Sequence, residues 1–202
     1  MTKAISRRMS ALQRIPQEIH FFLNDPPLWP GESRAEYLAL LSAIGASCQA
    51  GKDPLKWLLV NEVCHQIWEM RRFRRIESVL VLKRTVEVIE ELLKTTYDSE
   101  SEGMAIVWSA RNRAHLWAEG GEAAKEVEER LAARGYDMEA IRVRAYERCA
   151  SELREIETIV AKCENRRRAT LLEIDRRDEA FARRLAQAST EILDAVFSEA
   201  AE

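Results

Sequence analysis

The residues with the most recognisable chemistry are Glu62 and His65, which are three positions apart. Ligands at positions i and i+3 share one face of a helix, and helical di-iron proteins use this spacing. Such a site needs a second motif of the same kind, and neither of the other two histidines has a Glu three residues before it. We therefore expect no metal site and interpret His65 with Glu69 as an ion pair on a helix surface.

Nucleophilic catalysis has no better support in the sequence. Cys64 and His65 are adjacent, so they would point to different faces of a helix. The chain has neither a G-x-S-x-G motif nor a glycine-rich loop after a strand. The four dispersed cysteines indicate small buried side chains in a reducing compartment; they are Cys48, Cys64, Cys149 and Cys163. The sequence predicts no enzyme, no catalytic residue and no cofactor.

Arginine is the most distinctive residue type, because 24 of the 31 basic residues are Arg. Arg forks suit phosphate and carboxylate groups, so two clusters are candidate contacts for an anion or a nucleic acid. These candidates are Arg71, Arg72, Arg74, Arg75, Arg166, Arg167 and Arg168. The chain as a whole carries a net charge of −3, and helix-spaced Glu residues neutralise several Arg runs. Nucleic-acid binding is the alternative hypothesis and is not favoured.

The element that would carry Arg166, Arg167 and Arg168 is a long helix over about residues 138–199. It starts after Asp137, a good N-cap, and contains neither Gly nor Pro. About 60 residues would give roughly 90 Å. Its apolar positions follow a coiled-coil spacing, with Asp178 falling on the apolar stripe and Arg167 at a stutter. The candidate association seam is Leu153, Ile156, Val160, Leu171, Ile174, Phe181, Leu185 and Ile192.

So long a helix needs a partner along its whole seam, and we expect the upstream helices to be too short to supply all of it. The alternative is an ordinary long helix in an elongated bundle. The favoured hypothesis is a non-enzymatic interaction or scaffold protein that self-associates through this helix. Another helical protein is the alternative partner. The hypothesis predicts that Ile174→Asp or Leu185→Asp abolishes association and leaves a folded N-terminal bundle.

Upstream, a second long helix is expected over about residues 54–94, because Asp53-Pro54 is an N-cap followed by proline. A capping box that begins at Ser33 opens the helix before it. The proline-rich segment 24–32 is predicted to form an extended strap that Leu28 and Trp29 attach to the bundle. The first 15 residues are predicted to form a short amphipathic helix.

Composition agrees with an all-α fold. Of 202 residues, 47% are apolar and 32% charged, and Gly (7) and Pro (5) are scarce. No apolar run approaches the 18 residues of a membrane span, so we expect a cytoplasmic protein with no membrane contact. The prediction is an elongated helical bundle, divided into residues 1–134 with the strap and residues 135–202, the long helix that packs on them and projects.

Four stretches together resemble a family of uncharacterised helical proteins common in alphaproteobacteria. They are Asp25–Ser33 with Glu36-Tyr37, Trp68–Arg75, Leu131–Met138 and Ala161–Asp178. The resemblance covers most of the chain. It implies a bacterial, cytoplasmic, all-helical protein with no assigned activity, and it supplies no functional residues.

Overall fold

A computed structural model describes residues 15–96 and 103–199 of the chain. A 3₁₀ turn at Gln17–Ile19 precedes seven α-helices in this part of the chain. They are α1 His20–Leu23, α2 Arg34–Ser47, α3 Pro54–Thr96, α4 Gly103–Glu119, α5 Gly121–Ala132, α6 Met138–Arg148 and α7 Ala150–Glu199. The described residues contain no strand, so the predicted all-α helical bundle is confirmed.

The predicted helix starts are confirmed where a capping side chain specifies them. Ser33 Oγ accepts a hydrogen bond from the Glu36 amide at 3.3 Å, which opens α2. Asp53 Oδ1 accepts from the Leu55 and Lys56 amides at 2.9 and 3.2 Å, which opens α3. In both cases the carboxylate or hydroxyl satisfies amides that have no partner inside the helix.

The long C-terminal helix is interrupted once, at Cys149, so α6 and α7 are separate elements. Cys149 has φ −116° and ψ 14°, and its amide donates to Tyr146 O at 3.1 Å. Its thiol donates to Ala145 O at 3.2 Å, the carbonyl that the amide would bond in a regular helix. A side chain that replaces the amide as donor disturbs the backbone ladder locally. No Gly or Pro marks this break in the sequence.

The chain divides into two compact units, one within residues 1–70 and 161–202 and one of residues 71–160. This division does not follow the sequence-based boundary at residues 134 and 135. Each unit has its own apolar core, built on one part of α3. The first core includes Leu23, Tyr37, Leu41, Trp57, Cys64 and Ile174. The second includes Val88, Ile89, Leu93, Ala114, Leu131 and Ile141.

Within the first unit, α3 and α7 run antiparallel. Lys56 contacts Asp178, and Glu69 contacts Cys163, so positions fall along α7 as they rise along α3. The segment between α1 and α2 forms the predicted strap. Its Leu28 packs on the first core, whereas Trp29 is half exposed and only partly attaches the strap.

Arg34 anchors the strap, because its guanidinium donates to Asn24 O at 3.0 and 2.7 Å. The amphipathic helix predicted for the first 15 residues falls mostly on residues 1–14, which lie outside the described part of the chain; Ile15 is buried and is not helical. None of the described helices combines the length and apolarity that crossing a membrane requires.

Candidate association surface on the last helix

The apolar stripe of α7 passes from a buried stretch into an exposed one. Ile174 is 2% exposed and belongs to the first core. Phe181 and Leu185 continue the same stripe at heptad-like spacing, yet they are 61% and 58% exposed. Every residue from position 181 to position 190 is exposed. We name residues 179–199 the α7 tail.

The stripe becomes exposed at the point where α3, the antiparallel helix that packs on it, has its N-terminus. α3 begins at Pro54, and its residue Lys56 lies against Asp178 of α7. Because the two helices are antiparallel, later residues of α7 lie beyond the first residue of α3. From Asp178 to Glu199, α7 continues for about 30 Å.

Asp178, the one carboxylate on the predicted seam, is a partner of Lys56. The Lys56 ammonium donates to both carboxylate oxygens at 2.7 Å. The side chain of Lys56 is 9% exposed and that of Asp178 is 53% exposed. A nearly buried ammonium needs a counter-charge, so the carboxylate on the stripe completes the first unit rather than weakening a coiled coil.

A cavity of about 350 Å³ lies beside this ion pair. Its walls include Arg177, Phe181 and Arg184 from α7. Arg177 forms no ion pair with a described residue, and the Arg184 Nε–H donates only to Ala180 O, at 3.3 Å. The base of the α7 tail thus combines an exposed aromatic ring with two guanidinium groups.

The other seam positions divide by burial. Leu153 and Ile156 are buried, Val160 is half-buried, and Leu171 is at the margin of exposure. These four, like Ile174, are more covered by their own chain than Phe181 and Leu185, which are mostly exposed. The side chain of Ile192 lies outside the part that the structure describes. The substitution Ile174→Asp would therefore disrupt a folded core, and only Leu185→Asp remains a clean test of association.

The two arginine clusters belong to different units, Arg71 to Arg75 to the second and Arg166 to Arg168 to the first. Arg72 is 8% exposed, which leaves its guanidinium poorly placed for a phosphate. Arg167 Nη2 lies 3.5 Å from Glu164 Oε1. The other five arginines of the two clusters are exposed: Arg71, Arg74, Arg75, Arg166 and Arg168.

A second cavity, of about 390 Å³, lies in the first unit. Glu62 and His65 face it together with Phe21, Phe22 and Tyr37. The predicted contact of His65 with Glu69 is present, with Nε2 3.7 Å from Oε1. Among the residues that the structure describes, no three His, Cys, Asp or Glu side chains are grouped so that they could hold a metal ion.

The cysteines are poor nucleophiles in this environment. Burial raises the pKa of the Cys64 thiol to about 12. Burial is also the main cause of the raised pKa of Cys48, Cys149 and Cys163. A thiol with a raised pKa holds little reactive thiolate near neutral pH. All four cysteines are free thiols; Cys64, Cys149 and Cys163 are buried as predicted, whereas Cys48 is only half-buried.

Three residues beside the stripe of α7 were not identified from the sequence. They are Lys56, which pairs with Asp178, and the exposed residues Arg184 and Glu191. Lys56 is remote in sequence from the residue it pairs with, so no local pattern indicates it. Arg184 and Glu191 could have been found, because they are seven positions apart and flank the stripe on one side.

Comparison of the chain with protein-family models, curated proteins and solved structures finds no match. The resemblance to an alphaproteobacterial family therefore stays a prediction.

Proposed function

We propose that the protein is a non-enzymatic helical interaction protein that self-associates through the α7 tail. One observation carries the proposal: Phe181 and Leu185 are about 60% exposed on the same stripe that buries Ile174. A large apolar stripe on a long helix is usually covered by another helix. The chain's own α3 begins at Pro54, next to Asp178, so it does not reach this stretch.

The apolar area that a dimer would bury determines how tightly the two copies are expected to associate. Completing the burial of one large apolar side chain that is already partly covered contributes about 1–2 kcal/mol. A symmetric dimer buries four such side chains, for about 4–8 kcal/mol. Association costs at least about 4 kcal/mol in lost freedom, and other estimates of that cost are much higher. At most about 4 kcal/mol remains, so the dimer should be weak, with a dissociation constant of about 1 mM.

The test is molar mass in solution by light scattering, from about 10 μM to about 2 mM protein, a range chosen to span a millimolar constant. We expect a shift from monomer to dimer for the natural chain. Leu185→Asp should keep the protein monomeric throughout, because it places a carboxylate on the apolar stripe. Val143→Asp is the matched control, since Val143 is also exposed, at 53%, but belongs to the second unit.

Two outcomes would contradict the proposal. One is a monomeric natural chain at every concentration, which would leave another helical protein as the partner. The other is a Leu185→Asp variant that dimerises as the natural chain does. Circular dichroism of each variant shows whether it remains folded.

The second candidate, nucleic-acid binding, is favoured by the exposure of arginines in both clusters, among them Arg166 and Arg168 on one turn of α7. Steeply salt-dependent binding that these two residues control would support it. The net charge of −3 counts against this candidate, because it gives the chain no overall attraction to a phosphate backbone.

A further inference from the structure

Charged residues flank the exposed stripe of the α7 tail in an asymmetric pattern. One edge is formed by Arg177, Arg184 and Glu191, which are spaced by seven residues. On the same spacing the other edge holds Asp175, Ala182 and Ser189, so it carries no charge within the α7 tail up to Ser189. Because these positions flank the stripe at heptad spacing, they are the ones that meet a partner helix beside the apolar layers.

The two possible orientations of a pair of tails bring different edges together. In a parallel pair, the edge with Arg184 faces the opposite edge of the second copy, so Arg184 meets Ser189 and no ion pair forms. In an antiparallel pair, like edges meet. Arg184 then faces Glu191 of the second copy, and the symmetry of the dimer forms this pair twice.

The register of the antiparallel pair is limited by which positions of the stripe are already buried within each copy. An antiparallel pair centred between positions 186 and 187 sets Leu185 against Ala188 of the second copy, a large side chain against a small one. Shifting the second copy by one heptad toward the bundle would bring position 192 over Ile174. Ile174 is already buried in its own core, so this register is excluded.

The charges of this edge are available for such pairing. Arg184 and Glu191 form no ion pair with a described residue, and both side chains are exposed. Opposite charges that meet across an interface set partner orientation more than they set affinity.

We propose that two copies pair through their α7 tails in antiparallel orientation, held in register by reciprocal contacts between Arg184 and Glu191. This inference rests on the proposed function, because it specifies the geometry of the same self-association. It also places the two bundles at opposite ends of the paired tails, which avoids steric conflict where each α3 begins.

The experiment is a charge swap followed by sedimentation equilibrium of the full chain. Arg184→Glu and Glu191→Arg should each weaken the dimer about tenfold, because each replaces two attractions by two repulsions. The double variant R184E/E191R should return the dissociation constant to within about threefold of the natural value. In 1 M NaCl, where charges are screened within about 3 Å, the differences should shrink.

Arg183→Glu is the matched control, because it makes the same charge change one residue away, on the side of α7 that faces away from the stripe. It should leave the dimer unchanged, and an equal loss in this variant would overturn the inference. If the natural chain dimerises but the double variant dimerises as weakly as the single variants, the antiparallel register is overturned and the proposed function is not. A natural chain that stays monomeric overturns the proposed function and this inference together.

Discussion

Asp178 shows how much the meaning of one residue depends on a contact that is remote in sequence. On the helical pattern alone it is a polar defect in an apolar seam. In the structure it accepts two hydrogen bonds from the nearly buried ammonium of Lys56. Removing one partner of such a pair leaves the other charge without compensation, which costs more than the pair contributes.

We therefore expect Asp178→Leu to destabilise the protein, although leucine at this position would improve a coiled-coil seam. The expected loss is about 1–2 kcal/mol in the free energy of unfolding, discounted because the carboxylate is half exposed. Urea denaturation of a dilute, monomeric sample measures it. The double variant K56M/D178L should recover most of the loss, since it leaves no unpaired charge. A single variant as stable as the natural chain would show that the ion pair contributes nothing.

At the scale of elements, α2 and α3 approach each other closely at Gly45. A Cβ atom placed there would overlap the six-membered ring of Trp57. Trp57 is itself held by a hydrogen bond from its Nε1 to Gly51 O at 3.1 Å. Glycine is thus required inside α2 by a tertiary contact and not by a turn.

Gly45→Ala should lower the free energy of unfolding by about 1–3 kcal/mol, the usual cost of overpacking a core. On helix propensity alone the same change would stabilise α2 by about 1 kcal/mol, so the sign of the effect is the test. Thermal and urea unfolding would both report it. In a Trp57→Leu background, where the ring is absent, Gly45→Ala should no longer destabilise. A stabilising effect in the natural background would contradict the close contact.

In the second unit, two arginines form ion pairs that connect one helix to another. Arg148 of α6 donates to both carboxylate oxygens of Glu91 of α3, at 2.6 and 2.7 Å. These bonds lower the pKa of Glu91. Arg84 likewise contacts Glu87 and Glu152 at 2.8 and 3.1 Å. Such Arg residues connect helices within the unit, and their charges are already neutralised.

At the scale of the whole molecule, 34 acidic residues outnumber 31 basic ones, and many Arg side chains contact carboxylates. A protein that binds nucleic acid through its surface charge usually presents a basic face. Among the described residues, four arginines contact a carboxylate of another helix: Arg84, Arg113, Arg144 and Arg148. This distribution of charge is why self-association ranks above nucleic-acid binding.

We expect no detectable binding to a duplex of about 20 base pairs at 150 mM salt, because too few phosphates would be neutralised. Fluorescence anisotropy with a labelled duplex, repeated near 20 mM salt, measures this. The comparison that decides the matter is Arg166→Ala with Arg168→Ala against Arg183→Ala, an exposed arginine outside both clusters. Tight binding at 150 mM salt that only the first variant abolishes would reverse the ranking.

Much of the fold could be predicted because its signals are local. Ser33 and Asp53 start helices through bonds to amides two or three residues away. The scarcity of glycine and proline leaves long stretches for which no alternative to helix competes. The break at Cys149 could not be predicted, because a cysteine thiol that donates to a carbonyl has no sequence signature.

The sequence by itself determined the helical class, the starts of the main helices and the apolar stripe of the last one. These depend on the capping side chains and on the helical period, which are properties of neighbouring residues. Only the tertiary structure decided which part of that stripe is exposed. It did so because α3 begins at Pro54, so the chain covers Ile174 and leaves Phe181 and Leu185 mostly exposed.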